Sequence, residues 1–112
     1  MKKITVIIQP VKFDQLKQAL TDAGVCGMTV INAEGFGFQK SKKELLKDKE
    51  VLIDLQPKVM VEMVVQDSEV DQLLDVITDS TRTGRIGDGK VFISPVEEAV
   101  RIRTGERGEH GL

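Results

Sequence analysis

The sequence predicts an α+β fold of the ferredoxin-like type, built in the order β-α-β-β-α-β, and three observations predict it. Four short segments are rich in β-branched and apolar residues and read as strands. Two other segments repeat apolar residues at helical spacing. The helical segments fall between strands one and two and between strands three and four. That order lays two helices over one face of an antiparallel sheet.

Ile4-Thr5-Val6-Ile7-Ile8 forms the first strand. Asp14 to Ala23 forms the first helix, with Leu16, Ala19, Leu20 and Ala23 on one face and Gly24 as its stop. Met28 to Ala33 is the second strand. Lys58 to Val65 is the third, where Val59, Val61, Met63 and Val65 share a face. Ser68 is positioned to cap a second helix whose Val70, Leu73, Leu74 and Ile77 follow the i, i+3, i+4, i+7 pattern. Lys90 to Ser94 is the fourth strand, and Val100 to Arg103 reads as a short fifth. The second sheet face carries Ile7, Thr29, Ile31, Met60, Glu62 and Val64. A face open to water is normally more polar, so this one is expected to be covered by other copies in a cyclic assembly.

Size and composition narrow the function. The 112 residues suit one domain, 1–112. Formal net charge is −2, and the chain has no Trp or Tyr, which disfavours nucleic acid as a partner. No apolar run reaches the ~20 residues of a membrane span, and the N-terminus lacks a long apolar signal core. A cytoplasmic protein is expected. Cys26, the single cysteine, reads as a small buried apolar residue beside Val25 and Met28. His110, the single histidine, reads as part of a frayed tail.

The segment Thr81–Lys90, T-R-T-G-R-I-G-D-G-K, carries the strongest chemical signal. Gly84, Gly87 and Gly89 lie among Arg82, Arg85 and Lys90, with Arg101, Arg103 and Arg107 following. Glycine turns present bare amides that suit anionic oxygens. Guanidinium groups add a planar fork that fits phosphate. Together they point to a polyphosphate site. Arg101 and Arg103 alternate along the predicted fifth strand and so face the same way. Between strands two and three runs a long connection, about Gly37 to Gln56, of the length that is usually functional. Ser41 and Glu44 make a capping-box pattern for a short helix in it. A mobile, partner-seeking loop is the preferred reading.

The chain resembles the PII nitrogen-signalling proteins nearly end to end. The resemblance rests on M-K-K-I at the start, G-M-T-V at Gly27–Val30, G-F-G at Gly35–Gly37 followed by Gln39-Lys40, and P-K-V at Pro57–Val59. Above all it rests on the run from Thr83 to Gly108. It implies a homotrimer, not an enzyme, in which ATP and ADP compete in clefts between subunits. Mg²⁺ accompanies ATP, and 2-oxoglutarate is an effector. The long loop would control an ammonium or other transporter, recruiting the protein to the membrane, or a nitrogen-metabolism protein.

By the same resemblance, Gly87, Asp88, Gly89 and Lys90 cradle phosphates, and Arg101 and Arg103 clamp them from the neighbouring subunit. Thr29, Glu62 and Val64 recognise adenine, while Gly27, Met28, Gly35 and Gly37 shape the cleft. Gln39 reaches Mg²⁺ and 2-oxoglutarate, and Lys58 and Gly87 belong to the 2-oxoglutarate site. Lys47 marks the partner-contacting loop tip. Val51 stands where many members carry the Tyr that is uridylylated, so that switch is absent. Lys49 and Leu46 replace a phosphorylated Ser and a frequent Tyr. Ser41 replaces Gly at the 2-oxoglutarate pocket, and Phe38 replaces an Arg that assists the phosphates. Three other readings compete: a slow ATPase or phosphotransferase, an amino-acid-sensing domain, and an RNA-binding sheet.

Overall fold

A computed structural model describes residues 1–37 and 54–112. Four antiparallel strands form one sheet among these residues: β1 (Lys2–Ile8), β2 (Thr29–Gly35), β3 (Gln56–Val65) and β4 (Lys90–Pro95). Their spatial order is β2-β3-β1-β4. Two helices, α1 (Phe13–Asp22) and α2 (Val70–Thr81), pack against each other over one face. This is the predicted ferredoxin-like arrangement.

Alternation along the strands decides which side is covered. Ile4, Val6 and Ile8 of β1 and Val59, Val61, Met63 and Val65 of β3 are all buried. They meet Leu16 and Leu20 from α1 and Leu73 and Ile77 from α2. A period of two in the strands and 3.6 in the helices aims all these side chains at one layer. At about 25 cal/mol per Å², burying each such side chain contributes ~1.5–3 kcal/mol, which makes this layer the main source of stability.

α1 ends as predicted. Gly24 has φ +92°, and the Gly24 and Val25 amides fold back on Thr21 and Leu20 carbonyls at 3.0 Å each. α2 begins differently from the expectation. Asp67–Glu69 forms a 3-10 turn first, Glu69 occupies the cap position, and no side chain caps it. Ser68 lies inside that turn, one residue too early to serve. The strand borders also lie slightly wide of the expected ones, with Gln56 rather than Lys58 opening β3.

Three further expectations are corrected. Cys26 is exposed, because Val25 and Met28 turn onto the core while Cys26 bulges between them. The tail around His110 is a 3-10 turn, Gly108–Gly111, seated on neighbouring backbone. A methyl group on Gly111 would come within 2.9 Å of the Ala99 and Glu106 carbonyl oxygens. The fifth strand is reduced to a single bridge between Val100 and Arg107.

The uncovered sheet face is largely apolar. Ile31 (42 % exposed), Val64 (38 %) and Phe92 (54 %) stand on it beside half-buried Met60 and Ile7. The long connection's residues 38–53, including the capping pattern at Ser41 and Glu44, lie outside the described residues.

Candidate functional site: two recesses and an arginine hairpin

The glycine segment joins α2 to β4, and three contacts shape it. The Asp88 carboxylate accepts hydrogen bonds from the Thr83 amide (2.8 Å), the Thr83 hydroxyl (2.5 Å) and the Gly84 amide (3.0 Å). The Thr83 hydroxyl bond chiefly holds the Asp88 carboxyl below the ordinary aspartate value of 3.8. Asp88 therefore folds its own loop with its side chain.

The second contact comes from β1. Gln9 Nε2 donates to the Gly87 carbonyl at 2.9 Å, tying the loop to the end of the strand. The third is the close approach of Gly89. Its φ is +110°, and an added Cβ would sit 1.9 Å from the Ile7 carbonyl oxygen. No side chain fits there, so glycine is required by both conformation and space.

Beside this loop lies a recess of about 600 Å³. Its walls include Gly35, Gly37 and Lys58 on one side and Gly87, Asp88, Gly89 and Lys90 on the other. Lys90 pairs with Ile7, and Ile7 with Met60, so all three side chains share the uncovered sheet face. Lys58 opposes Ala33 in the same ladder and sits two residues from Met60. The recess thus sets Lys58, Lys90 and Arg85 against a glycine turn, with Glu34 and Asp88 also on its wall. Such a lining attracts phosphate or carboxylate oxygens.

A second recess of about 340 Å³ lies further along β3. Gly27, Met28, Thr29, Glu62, Val64 and Lys3 line it. Here a row crosses the sheet, because Thr29 opposes Glu62, Glu62 opposes Thr5, and Thr5 opposes Phe92. Thr5 donates a long bond to Glu62 Oε1 (3.4 Å), and Lys3 Nζ stands 4.0 Å from the same oxygen. Both contacts are weak by length. Glu62 Oε2 has no partner among the described residues, which leaves an acceptor beside the Thr29 hydroxyl and the apolar Val64.

Arg101 and Arg103 line neither recess. They occupy a tight hairpin closed by Arg101 N–H to the Glu106 carbonyl (2.9 Å), Gly105 N–H to the Arg101 carbonyl (2.7 Å) and Gly108 N–H to the Ala99 carbonyl (2.9 Å). The predicted strand alternation of the two arginines fails because the chain reverses at once, with φ of +75° at Gly105 and +66° at Gly108. Glu98 holds the base of the hairpin. It accepts from the Gly108 amide (2.8 Å), the Ala99 amide (3.2 Å) and the Arg107 guanidinium (3.0 Å). The Gly108 bond leads in holding its carboxyl below the ordinary 4.5.

The sequence reading gave no role to Gln9, Glu98 or Glu106. All three act on backbone or guanidinium groups brought close only by folding. Their one signal in sequence is the alternation of acids and arginines around glycines in 98–108. Gln39, Lys47 and Val51, with Phe38, Ser41, Leu46 and Lys49, lie outside the described residues. Among the described residues no group of three or more His, Cys, Asp or Glu could hold a metal ion.

The comparisons agree with one another. The family model for nitrogen regulatory protein P-II matches residues 1–106. The chain is similar to nitrogen regulatory protein P-II of Azospirillum brasilense, 52% identical over 108 residues and 96% of each chain. It is similar also to that of Rhodobacter capsulatus, 50% identical over 112 residues and the whole of both chains. The fold superposes on the crystal structure of Arabidopsis thaliana PII bound to citrate with a TM-score of 0.80 and 37% identity, covering 99% of this chain and 91% of that one. The family model and both bacterial relatives are named as regulatory proteins.

Proposed function

The chain belongs to the nitrogen regulatory protein P-II family, and on that premise we propose that it is a homotrimeric, nucleotide-sensing regulator of nitrogen metabolism. ATP and ADP compete for a site built between subunits. The glycine turn and Lys90 of one copy receive the phosphates, and Arg101 and Arg103 of its neighbour clamp them. The Thr29–Glu62–Val64 recess takes adenine. Mg²⁺ enters with ATP, and 2-oxoglutarate binds near Lys58 and Gly87 with help from Gln39. The long connection then engages a membrane transporter or an enzyme of nitrogen assimilation from the cytoplasm, with Lys47 near its tip.

One observation carries this reading: the groups that suit a nucleotide are divided. The larger recess holds a glycine turn and ammonium groups, but Arg101 and Arg103 stand on a separate hairpin. A second copy applied to the apolar sheet face supplies a natural way to unite them. Covering Ile31, Val64 and Phe92 also removes an unfavourable apolar surface from water. Among the described residues no helix is long and apolar enough to cross a membrane.

Sedimentation combined with calorimetry tests the proposal. The expected result is a trimer binding one ATP or ADP per subunit with negligible turnover. A stable monomer, or a trimer indifferent to both nucleotides, would refute it. A second reading is favoured by Phe38 and Ser41: a P-II regulator that binds nucleotide without answering to 2-oxoglutarate and controls a non-ammonium transporter. Titrating 2-oxoglutarate into the Mg-ATP complex separates the two, since only the first predicts saturable heat.

A further inference from the structure

Arg101 and Arg103 are unequal. The Arg101 guanidinium is engaged at both of its ends. Nη1 lies 3.3 Å from Glu106 Oε1, and Nη2 donates to the main-chain oxygen of Leu112. Arg103 is exposed and makes no hydrogen bond or ion pair among the described residues. One arginine of the pair is held and the other stands ready.

The hold on Arg101 is built by the hairpin itself. The Glu106 carbonyl takes the Arg101 amide at 2.9 Å, which sets the two side chains opposite each other. Gly111 fits against the Ala99 and Glu106 carbonyls where no side chain could, and this seats Leu112 beside the second guanidinium nitrogen. Two acceptor oxygens on the two terminal nitrogens, one of them anionic, reproduce the way a guanidinium grips a phosphate.

We propose, resting on the nucleotide reading above, that Glu106 and the Leu112 main-chain oxygen act as internal substitutes for phosphate oxygens on Arg101. Arg103 is then a standing clamp, and Arg101 is a gated one that closes only when a ligand displaces Glu106. Glu106 becomes a determinant of affinity. Releasing Arg101 costs the same free energy whichever ligand takes it, so the latch weakens diphosphate and triphosphate binding alike. Both partners are partly exposed, with side chains 38% and 49% accessible, so a ligand can reach and exchange them.

Glu106→Gln keeps the side chain's size and the main-chain contacts while removing the competing charge. The experiment measures dissociation constants for ADP, ATP and inorganic tripolyphosphate with the full chain, Glu106→Gln, Arg101→Ala and Arg103→Ala. The expected result is ADP binding tighter by about two- to five-fold in Glu106→Gln, the range one exposed ion pair supports. ATP and tripolyphosphate gain by at least as much, because the opening cost removed is common to every ligand that engages Arg101. Arg103→Ala weakens ADP more than Arg101→Ala does. If Glu106→Gln lowers Tm by more than a few degrees, Glu106→Asp reads the same competition, because it keeps the charge but withdraws it from Nη1. Unchanged or weaker ADP binding in the variant, with normal binding by the parent chain, overturns the latch and leaves the nucleotide reading standing. Failure of the parent chain to bind any of the three ligands overturns both.

Discussion

Replacing Gly89 with alanine puts the glycine-loop geometry to a quantitative test. The new Cβ would lie 1.9 Å from the Ile7 carbonyl oxygen, 3.0 Å from its carbon and 3.2 Å from Ile8 Cα. All three are backbone atoms of a strand paired on both sides, so they cannot step aside. The φ of +110° adds strain for any residue with a side chain, about 1–3 kcal/mol. Relief requires the loop to lift by more than ~1 Å and to loosen the start of the Ile7–Lys90 pairing, a further ~0.5–1.5 kcal/mol. The total is about 2–4 kcal/mol, which lowers Tm by roughly 10–20 °C in a domain of this size. Two controls isolate the causes. Gly84 has φ +82° but open space around it, so its alanine variant carries the conformational cost alone, about 1 kcal/mol. Gly27 has neither feature, so its variant stays within ~0.5 kcal/mol. Thermal unfolding at equal subunit concentration reads all three, since the proposed assembly makes Tm concentration-dependent. Gly89→Ala no worse than Gly84→Ala would refute the close-approach reasoning.

Other outcomes are expected from the same structure. Asp88 and Glu98 have depressed carboxyl pKa values, so their contributions are fully present above the ordinary 3.8 and 4.5 and are lost as pH falls through the lower folded values. Amide shifts of Thr83, Gly84 and Gly108 should therefore titrate below those ordinary values, and titration above them would contradict the assigned contacts. Gln9→Ala removes the tie on the Gly87 carbonyl. Faster amide exchange in 84–89 and nucleotide binding weakened by about 2–10-fold are expected, in line with one lost hydrogen bond, and unchanged exchange would dismiss the tie. Ile31→Arg places a charge on the uncovered sheet face; sedimentation should show dissociated subunits, and an intact trimer would exclude that face as the interface. Leu16→Ala, at a fully buried position, should cost about 2–5 kcal/mol in urea unfolding, and a loss under 1 kcal/mol would mean the core is packed elsewhere.

The fold was legible in the sequence where burial is one-sided. β1 and β3 bury alternate residues, and α1 and α2 bury one stripe each, so periodicity alone identified the core. The glycines of the Thr81–Lys90 segment were legible because three of them within six positions seldom serve a helix or strand. Long-range polar contacts were not. Nothing near Gln9 in sequence points to Gly87, and nothing in sequence shows that the Asp88 carboxylate turns back onto Thr83 and Gly84. The arginine segment misled because V-R-I-R alternates like a strand. Its direction is set by Gly105 and Gly108, whose positive φ values turn the chain before a second ladder can form. Cys26 misled for a similar reason, since composition does not distinguish a core position from a bulge between two core-facing neighbours.

The sheet order has a consequence for how the molecule is made. β1, synthesised before the sheet's other three strands, is an inner strand whose flank stays bare until β4 is synthesised, with Lys2 waiting for Pro95. Pairing so distant in sequence is slow and exposes sticky intermediates. The same late strand brings Lys90 into register beside Ile7. A chain interrupted anywhere before that point therefore lacks both its final structural seam and the strand that carries Lys90.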